Sequence, residues 1–357
     1  MTQHQQAVEV TGGVDTHKDS HTAAALDSAG RLLGSAQFPA TAAGYGQLLD
    51  WLRGFGTLVK VGVEGTGAYG AGLARHLAAA GVTVVEIDRP DRKARRWQGK
   101  SDPVDAEAAA RATLAGRRTG IPKGRDGQVE ALRSLRVARR GGVAHRADVI
   151  KQMKALLVTA PEAVRAELSA LANTRLVAVC AEADVPAARA GDPAVAVRLA
   201  LRSLAQRHQH LSTEIRELDK IIGRLVRELA PKLAAVHGVG PDVAGQLLVS
   251  AGDNPDRLRS EAAFAMLCGV SPLPASSGKT NRHRLNRGGD RQANAALYRV
   301  VLCRLRWDPA TQAYVERRTA EGKSKKEIIR CLKRYVAREI YKILTASSAS
   351  QDLPVAA

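Results

Sequence analysis

Residues 8–38 read V-E-V-T-G-G-V-D-T-H-K-D-S-H-T-A-A-A-L-D-S-A-G-R-L-L-G-S-A-Q-F. Three runs of small or β-branched residues are separated by polar turns. Val8 to Asp15 predicts a strand and His21 to Leu26 a second. Arg31 to Phe38 predicts a third, returning antiparallel after the Asp27-Ser28-Ala29-Gly30 turn. Beyond it the pattern alternates. Thr41 opens a helix with Leu48, Leu49 and Leu52 on one side, and Leu58 to Val63 has the β-branched character of a buried strand, with Glu64 at its end. Gly65-Thr66-Gly67 turns into a helix over Ala68 to Ala80, Val82 to Ile87 is another strand, and Asp91 to Trp97 is a basic helical segment. A meander followed by alternating helix and strand predicts a mixed sheet with helices on it, an α/β domain over residues 1–125.

The chain has 357 residues, enough for two or three domains. It carries 54 Lys and Arg against 35 Asp and Glu, a net charge of +19, which points to a polyanionic partner. No apolar run approaches the ~20 residues of a membrane span. The N-terminal M-T-Q-H-Q-Q-A-V-E lacks the basic-then-apolar order of a signal peptide, so the expected location is cytoplasmic, nucleoid-associated if the partner is DNA. Cys180, Cys268, Cys303 and Cys331 form no C-x-x-C pair, which favours structural thiols over a zinc knuckle or disulfide framework. Aromatic residues make up 3% of the chain, so affinity for nucleic acid should come from phosphate contacts rather than base stacking.

The acids of the first domain carry the chemistry. Asp15 ends the first strand and Glu64 the fourth. Lys100 to Glu107 (K-S-D-P-V-D-A-E) starts a helix in which Ser101 or Asp102 can cap and Pro103 suits the first turn. Asp102 and Asp105, three apart, share one helix face. If the first and fourth strands are neighbours, Asp15 and Glu64 meet at one sheet edge and the helix adds two more carboxylates. Such a cluster repels itself unless it holds divalent cations, and all-oxygen ligands favour Mg²⁺ or Mn²⁺. Singly, each acid has an ordinary explanation as a turn, surface or helix-start residue. G-T-G-A-Y-G at 65–70 is weak evidence for a nucleotide site, because its glycines also suit a tight strand-to-helix turn.

Gly120 to Gly127 is a plausible linker into residues 126–235, a helical linker and coiled-coil region. Its first helical stretch is rich in Arg, with Gly141-Gly142 as a candidate break. Leu204, Leu211, Ile215, Leu218, Ile222, Leu225 and Leu229 then form an a/d heptad seam, with His208 in an expected apolar place and Pro231 as the stop. Packing on its own domain and pairing between chains both remain open.

Residues 236–345 read as a mostly helical domain. Val236 to Pro241 (V-H-G-V-G-P) joins two helices in the manner of a helix-hairpin-helix, where Gly238 and Gly240 would let backbone N–H groups approach a phosphate; a plain helix corner is the alternative. Glu261 to Leu267 is a helix. Ser271 to Asn294 is a loop with Ser276 and Ser277 among Lys279, Arg282, Arg284, Arg287 and Arg291, against the single acid Asp290. Arg291 to Arg306 and Ile328 to Leu344 are helical, the latter opened by a Ser324/Glu327 capping box and carrying an apolar stripe with basic flanks. Residues 346–357 are expected to be a disordered tail.

These motifs together resemble a known family. G-V-D-T-H-K at 13–18, G-V-E-G-T-G-A-Y-G at 62–70 and K-S-D-P-V-D-A-E at 100–107 resemble the RuvC-like DEDD domain of transposases of the insertion sequence one-ten family. P-x-V-A-G-Q-L-L-V-S-A-G-D at 241–253, G-V-S-P-L-P-A-S-S-G-K at 269–279 and R-G-G-D-R-Q-A-N at 287–294 resemble its C-terminal transposase domain. The resemblance implies a RuvC/RNase H-like fold and a site-specific recombinase of an insertion element, acting on double-stranded donor and target DNA under a guide (bridge) RNA. It implies a metal-binding tetrad of Asp15, Glu64, Asp102 and Asp105. The nucleophile is implied to be Ser277, the serine before the glycine, with Ser276 as its neighbour and competitor. A homo-oligomer, dimer or tetramer, fits a need to bring the two clusters together.

The chemistry is coherent. Strand exchange must conserve phosphodiester energy, which a covalent phosphoserine does and hydrolysis does not. The alternatives are a RuvC-like metal-dependent junction nuclease whose serine region only binds DNA, and a non-catalytic nucleic-acid-binding protein. An actin-like ATPase, suggested by D-T-H-K after a strand, fits the basic charge and helical second half poorly.

Overall fold

The computed structural model describes residues 8–87, 101–116, 119–279 and 283–348. The basic segment expected at Asp91 to Trp97, Lys100, Arg282 and residues 349–357 of the expected tail lie outside the described residues. The chain divides into two compact units, Met1–Gly127 with Ala251–Arg259, and Gln128–Ser250 with Ser260–Ala357.

In the first unit, β1 (Glu9–Thr16), β2 (Ser20–Asp27) and β3 (Leu32–Pro39) form the expected antiparallel meander, and β4 (Thr57–Glu64) and β5 (Thr83–Ile87) add in parallel. A two-residue strand, β6 (Thr119–Gly120), closes the sheet antiparallel to β5, giving the order β3-β2-β1-β4-β5-β6. The first and fourth strands are therefore neighbours, with Val14 opposite Val63. The parallel step from β1 to β4 needs a crossover, which α1 (Ala42–Arg53) provides. Thr41 caps that helix by accepting a hydrogen bond from the Gly44 amide.

The sheet's two faces are built differently. On one, Val10, Val14, Val61 and Val63 pack with Leu48, Leu49 and Leu52 of α1 and Leu73 and Leu77 of α2 (Ala71–Ala79) into an apolar core. Each fully buried side chain of this size contributes about 1.5–3 kcal/mol. On the other face lies α3 (Asp102–Leu114), whose inward residues Ala106, Ala109 and Ala110 are small and buried. The strands beneath it carry glycine at the contact: a Cβ on Gly13 would overlap the Ala110 nitrogen and the Ala106 carbonyl, and one on Gly62 would overlap the Thr113 hydroxyl. Alternation along a strand places Asp15 on Gly13's face and Glu64 on Gly62's. The same glycines that admit α3 thus aim both acids toward it.

Two local readings need correction. The second helix begins at Ala71 rather than Ala68, because residues 65–70 are consumed by turns. Asp102 lies inside α3, and Ser101, its N-cap, makes no side-chain capping bond. The stretch 120–127 is held at several points: Asn254 Nδ2 donates to the Pro122 carbonyl, the Gly124 amide donates to Asn254 Oδ1, and Arg257 Nε donates to the Ile121 carbonyl, at 2.9, 3.1 and 3.0 Å.

The second unit is helical. α4 (Gln128–Val158) runs unbroken through Gly141-Gly142 and packs antiparallel on a longer helix, α7 (Pro193–Leu229). The glycine pair does not break α4 because Gly142 is buried against Ile215 of α7, where the missing side chain permits close approach. Arg139 binds Asp219 and Arg146 reaches Ser212, which fixes the register. Part of the heptad seam packs within the chain: Ile215 and Ile222 are buried, and Leu204 and Leu211 pack on a core that includes Val149, Met153 and Leu157, while Leu218, Leu225 and Leu229 are half-buried. α5 (Glu162–Leu168) and α6 (Asn173–Glu182) close that core with Val164, Leu168, Leu176 and Val177.

α8 (Pro231–Ala234) and α9 (Pro241–Ala251) follow, then α10 (Glu261–Leu267), α11 (Arg291–Trp307), α12 (Pro309–Ala320) and α13 (Lys325–Ser348). The Ser324/Glu327 capping box forms as expected, the Ser324 amide donating to Glu327 Oε2 at 2.9 Å. Ile328, Leu332, Val336 and Ile340 of α13 are buried, while Tyr335 is exposed. The helix extends to Ser348, into the expected tail. The cysteines are free thiols; Cys180 and Cys268 are buried, and burial pushes Cys268 up to about 12.

Candidate active site

Three of the side chains at the sheet edge converge. The ligand atoms of Asp15, His17 and Asp102 all lie within 4.8 Å of one another. His17 Nδ1 stands between the two carboxylates, 3.8 Å from Asp15 Oδ2 and 3.9 Å from Asp102 Oδ2. Asp15 is almost buried, with its side chain 12% exposed, whereas Asp102 and His17 are open at 43% and 48%. A ligand arriving from solvent would therefore meet His17 and Asp102 first and Asp15 at the base.

Glu64 and Asp105, the other two expected acids, are not part of the group whose ligand atoms lie within 4.8 Å of one another. Glu64 is the last residue of β4, one position past the Val14–Val63 pair, and Thr16 Oγ1 donates to its carbonyl at 2.9 Å. Gly65 follows at φ +63°, a left-handed turn that ends the strand at once. Thr66 is buried, and its hydroxyl donates to Glu86 Oε1 at 2.5 Å, which locks the turn. The G-T-G-A-Y-G stretch is thus a tied strand-to-helix turn. Asp105 is 1% exposed in the first turn of α3, where the helix dipole favours a carboxylate.

The donor set fits a hard divalent cation. Two oxygens on opposite sides of one Mg²⁺ lie about 4.2 Å apart. The observed separations, all within 4.8 Å, are close to that span. Carboxylates dominate, and the imidazole of His17 is the one softer donor. His17 was not singled out from the sequence. Its signal was its place two residues beyond Asp15, the spacing that returns an extended chain to the same face.

The serines lie in the second unit on a small hairpin. β7 (Leu273–Pro274) pairs with β8 (His283–Arg284), a ladder the Pro-rich sequence did not suggest. Ser276, Ser277 and Lys279 are exposed near its tip, Gly278 turns at φ +53°, and Arg284 and Arg287 are exposed on the returning strand and beyond. The hairpin's base is rigidly tied. Asn294 Nδ2 donates to the carbonyls of Cys268 and Gly269 at 2.9 and 3.1 Å, and Lys333 Nζ donates to Asn294 Oδ1 at 2.9 Å. Asp290 caps α11 through the Gln292 and Ala293 amides and accepts from Ser250 Oγ at 2.6 Å. The residues of R-G-G-D-R-Q-A-N thus hold the hairpin's base, with Arg287 left outward.

The two candidate backbone contacts differ. Gly238, at φ +82°, packs against α11, where a Cβ would sit 3.3 Å from the Val300 carbonyl, while nothing lies within 4 Å of a Cβ at Gly240. No helix among the described residues is long and apolar enough to cross a membrane.

Comparison with known proteins gives two family matches. A model described as transposase, of the DEDD IS110 type, matches residues 12–160, and the transposase IS116/IS110/IS902 family model matches residues 230–316. The first range contains Asp15, His17, Glu64, Asp102 and Asp105, and the second Ser277. An insertion element IS110 uncharacterized 43.6 kDa protein of Streptomyces coelicolor is 32% identical over 125 residues, 34% of this chain and 31% of that protein. An insertion element IS900 uncharacterized 42 kDa protein of Mycobacterium paratuberculosis is 28% identical over 134 residues, 37% of this chain and 34% of that protein. A pilin gene-inverting protein of Moraxella bovis is 31% identical over 150 residues, 40% of this chain and 44% of that protein. The matches thus span about a third to under half of these relatives' own length.

Proposed function

Because the chain belongs to the IS110 family of transposases, we propose that it is a DNA recombinase that moves an insertion element by cutting and rejoining DNA through a serine-linked intermediate. The observation that carries this reading is the convergence of Asp15, His17 and Asp102 at the edge of a mixed sheet. The strand order and the placement of the acids support a RuvC-like domain over residues 1–125. We assign the serine to the domain at 236–345 and an architectural role to the helical region at 126–235.

Asp15, Glu64, Asp102 and Asp105 are assigned as the acidic tetrad, and His17 as a further donor, for Mg²⁺ or Mn²⁺. A divalent cation bound there supplies positive charge for a phosphate oxygen and lowers the pKa of a bound hydroxyl. Ser277 Oγ attacks the phosphorus of the scissile phosphodiester. A bond from oxygen to phosphorus forms, the bond to one bridging oxygen breaks, and the serine proton leaves to a base while the departing oxygen is protonated. The phosphodiester count is unchanged, so an incoming strand's hydroxyl reverses the step and rejoins DNA. Arg284 and Arg287, with Lys279 and Arg282, supply charge for the phosphate. Gly238 and Gly240 remain candidate backbone contacts to DNA. Partners on this reading are double-stranded donor and target DNA, a guide RNA that carries the sequence information by base pairing, and further copies of the chain. The workplace is the nucleoid.

The test is an SDS-stable protein–DNA adduct formed on a nicked substrate. Ser277→Ala is expected to abolish both adduct and cutting, and Ser276→Ala to retain both. Cutting that survives Ser277→Ala without any adduct identifies a hydrolytic nuclease and overturns the serine mechanism.

A further inference from the structure

A cleft of about 680 Å³ lies in the second unit between α4, α6 and α7, far along the chain from both the acidic residues and the serine hairpin. That volume is in the range of small-molecule sites and well beyond what a bare inorganic anion fills. Its floor is apolar, with Ile150 from α4 and Val177 from α6. Its rim is cationic, with Arg146 from α4 and Arg216 from α7.

Among the described residues, neither guanidinium has a carboxylate within 4 Å. On α4, by comparison, Arg136 and Arg139 are paired with Asp242 and Asp219. Arg146 and Arg216 are instead aimed by neutral groups. Arg146 Nη1 reaches Ser212 Oγ at 3.5 Å, and Arg216 donates to the Ser212 carbonyl at 3.2 Å and to Thr213 Oγ1 at 3.0 Å. A guanidinium has five N–H donors, so most remain available.

Two further features point the same way. The first turn of α6, a ten-residue helix, opens on the cleft at Asn173 with no side-chain capping bond, so its amides add partial positive charge. His208, the one interruption of the heptad seam, also lines the cleft. Burial, and then the Arg146 charge, hold its pKa below the usual imidazole range, so it stays neutral and can donate or accept without adding to the repulsion. A polar residue in an apolar seam costs stability, and this cleft accounts for its place.

We propose that the cleft binds a phosphorylated nucleoside unit, with the phosphate on Arg146 and Arg216 and the base or sugar over Ile150 and Val177. A carboxylate needs only one such fork, whereas a phosphate accepts from two guanidiniums and a helix N-terminus together. The unit comes either from a free nucleotide or from a single strand of nucleic acid. The site does not depend on the serine chemistry.

The test is arginine footprinting of the intact protein with phenylglyoxal, read by mass spectrometry, in the presence of inorganic phosphate, uridine monophosphate or a short single-stranded oligouridylate. Loss of modification at both Arg146 and Arg216 is expected. Protection by uridine monophosphate identifies a free nucleotide as sufficient, and protection by the oligonucleotide alone identifies a strand. The double variant R146A/R216A is expected to bind the protecting ligand about tenfold more weakly or worse. Protection by neither ligand, or by inorganic phosphate alone, overturns the proposal. No DNA cutting enters the readout, so this result and that of the adduct assay stand or fall separately.

Discussion

At the sheet edge, Asp15 owes its setting to the glycine two residues before it. Gly13 lets the α3 backbone lie against β1, and the same alternation turns Asp15 toward the helix that carries Asp102. Gly13→Val is therefore expected to destabilise the first unit by about 3 kcal/mol, since the added atoms meet backbone rather than a movable side chain. Denaturant unfolding measures this, and a Mn²⁺ titration of the folded fraction should show weaker binding. Asp15→Asn and Asp102→Asn are each expected to weaken Mn²⁺ binding tenfold or more, about 1.4 kcal/mol per factor of ten. His17→Ala should cost less, because His17 is the most exposed of the three. Calorimetric titration of each variant checks the order. Asp15 and Asp102 were legible in the sequence because one lies at a strand end and the other at a helix start. His17 was not singled out, because its two-residue spacing from Asp15 carries weight only once Asp102 is placed beside it.

Among the elements, α4, α9 and α11 are joined by one charged cluster. Asp242 accepts from Arg136 at 2.8 Å and from Arg299 at 2.5 Å, with Arg139 at 3.4 Å. Burial alone would raise the Asp242 pKa, but the Arg136 and Arg299 charges, the Arg136 hydrogen bond and Arg139 outweigh it and hold the carboxyl below its usual value. A carboxyl depressed in the folded state contributes in full above the unfolded value of about 3.9 and loses that contribution as pH falls through its lower folded value. Urea unfolding followed down from pH 5 should show this loss of stability, and Asp242→Asn should flatten that part of the profile. Element existence was largely legible: β1 to β5, α1, α3, α10 and α11 lie within a few residues of their expected bounds. The misreadings share a cause, which is tertiary contact overriding a local rule. Gly141-Gly142 suggested a break, but Ile215 needs the space beside Gly142. Residues 65–70 suggested an early helix start, but Thr66 is tied to Glu86. The β7–β8 ladder and the cleft beside His208 each combine segments distant in sequence, and no local pattern announces them.

Over the whole molecule, the net charge is +19, which suits a polyanionic partner. Many arginines are already spent on internal carboxylates such as Asp242, Asp219, Glu261 and Glu339. Binding to non-specific duplex DNA should nonetheless weaken steeply with salt, as a straight line in log K against log [salt] whose slope counts the phosphates engaged at about 0.9 each. Charge-neutralising variants at Lys279, Arg284 and Arg287 should each reduce that slope by about one if they touch DNA phosphates. An unchanged slope would remove them from the interface.

The most direct measurement maps the covalent DNA adduct by mass spectrometry in the wild-type protein and in Asp15→Asn, each with Mg²⁺ and a nicked substrate. The wild type should yield one phosphopeptide, modified at Ser277, and Asp15→Asn should bind DNA but yield none. An adduct at another residue, or one at Ser277 that persists undiminished in Asp15→Asn, would contradict the dependence of the serine on the acidic cluster.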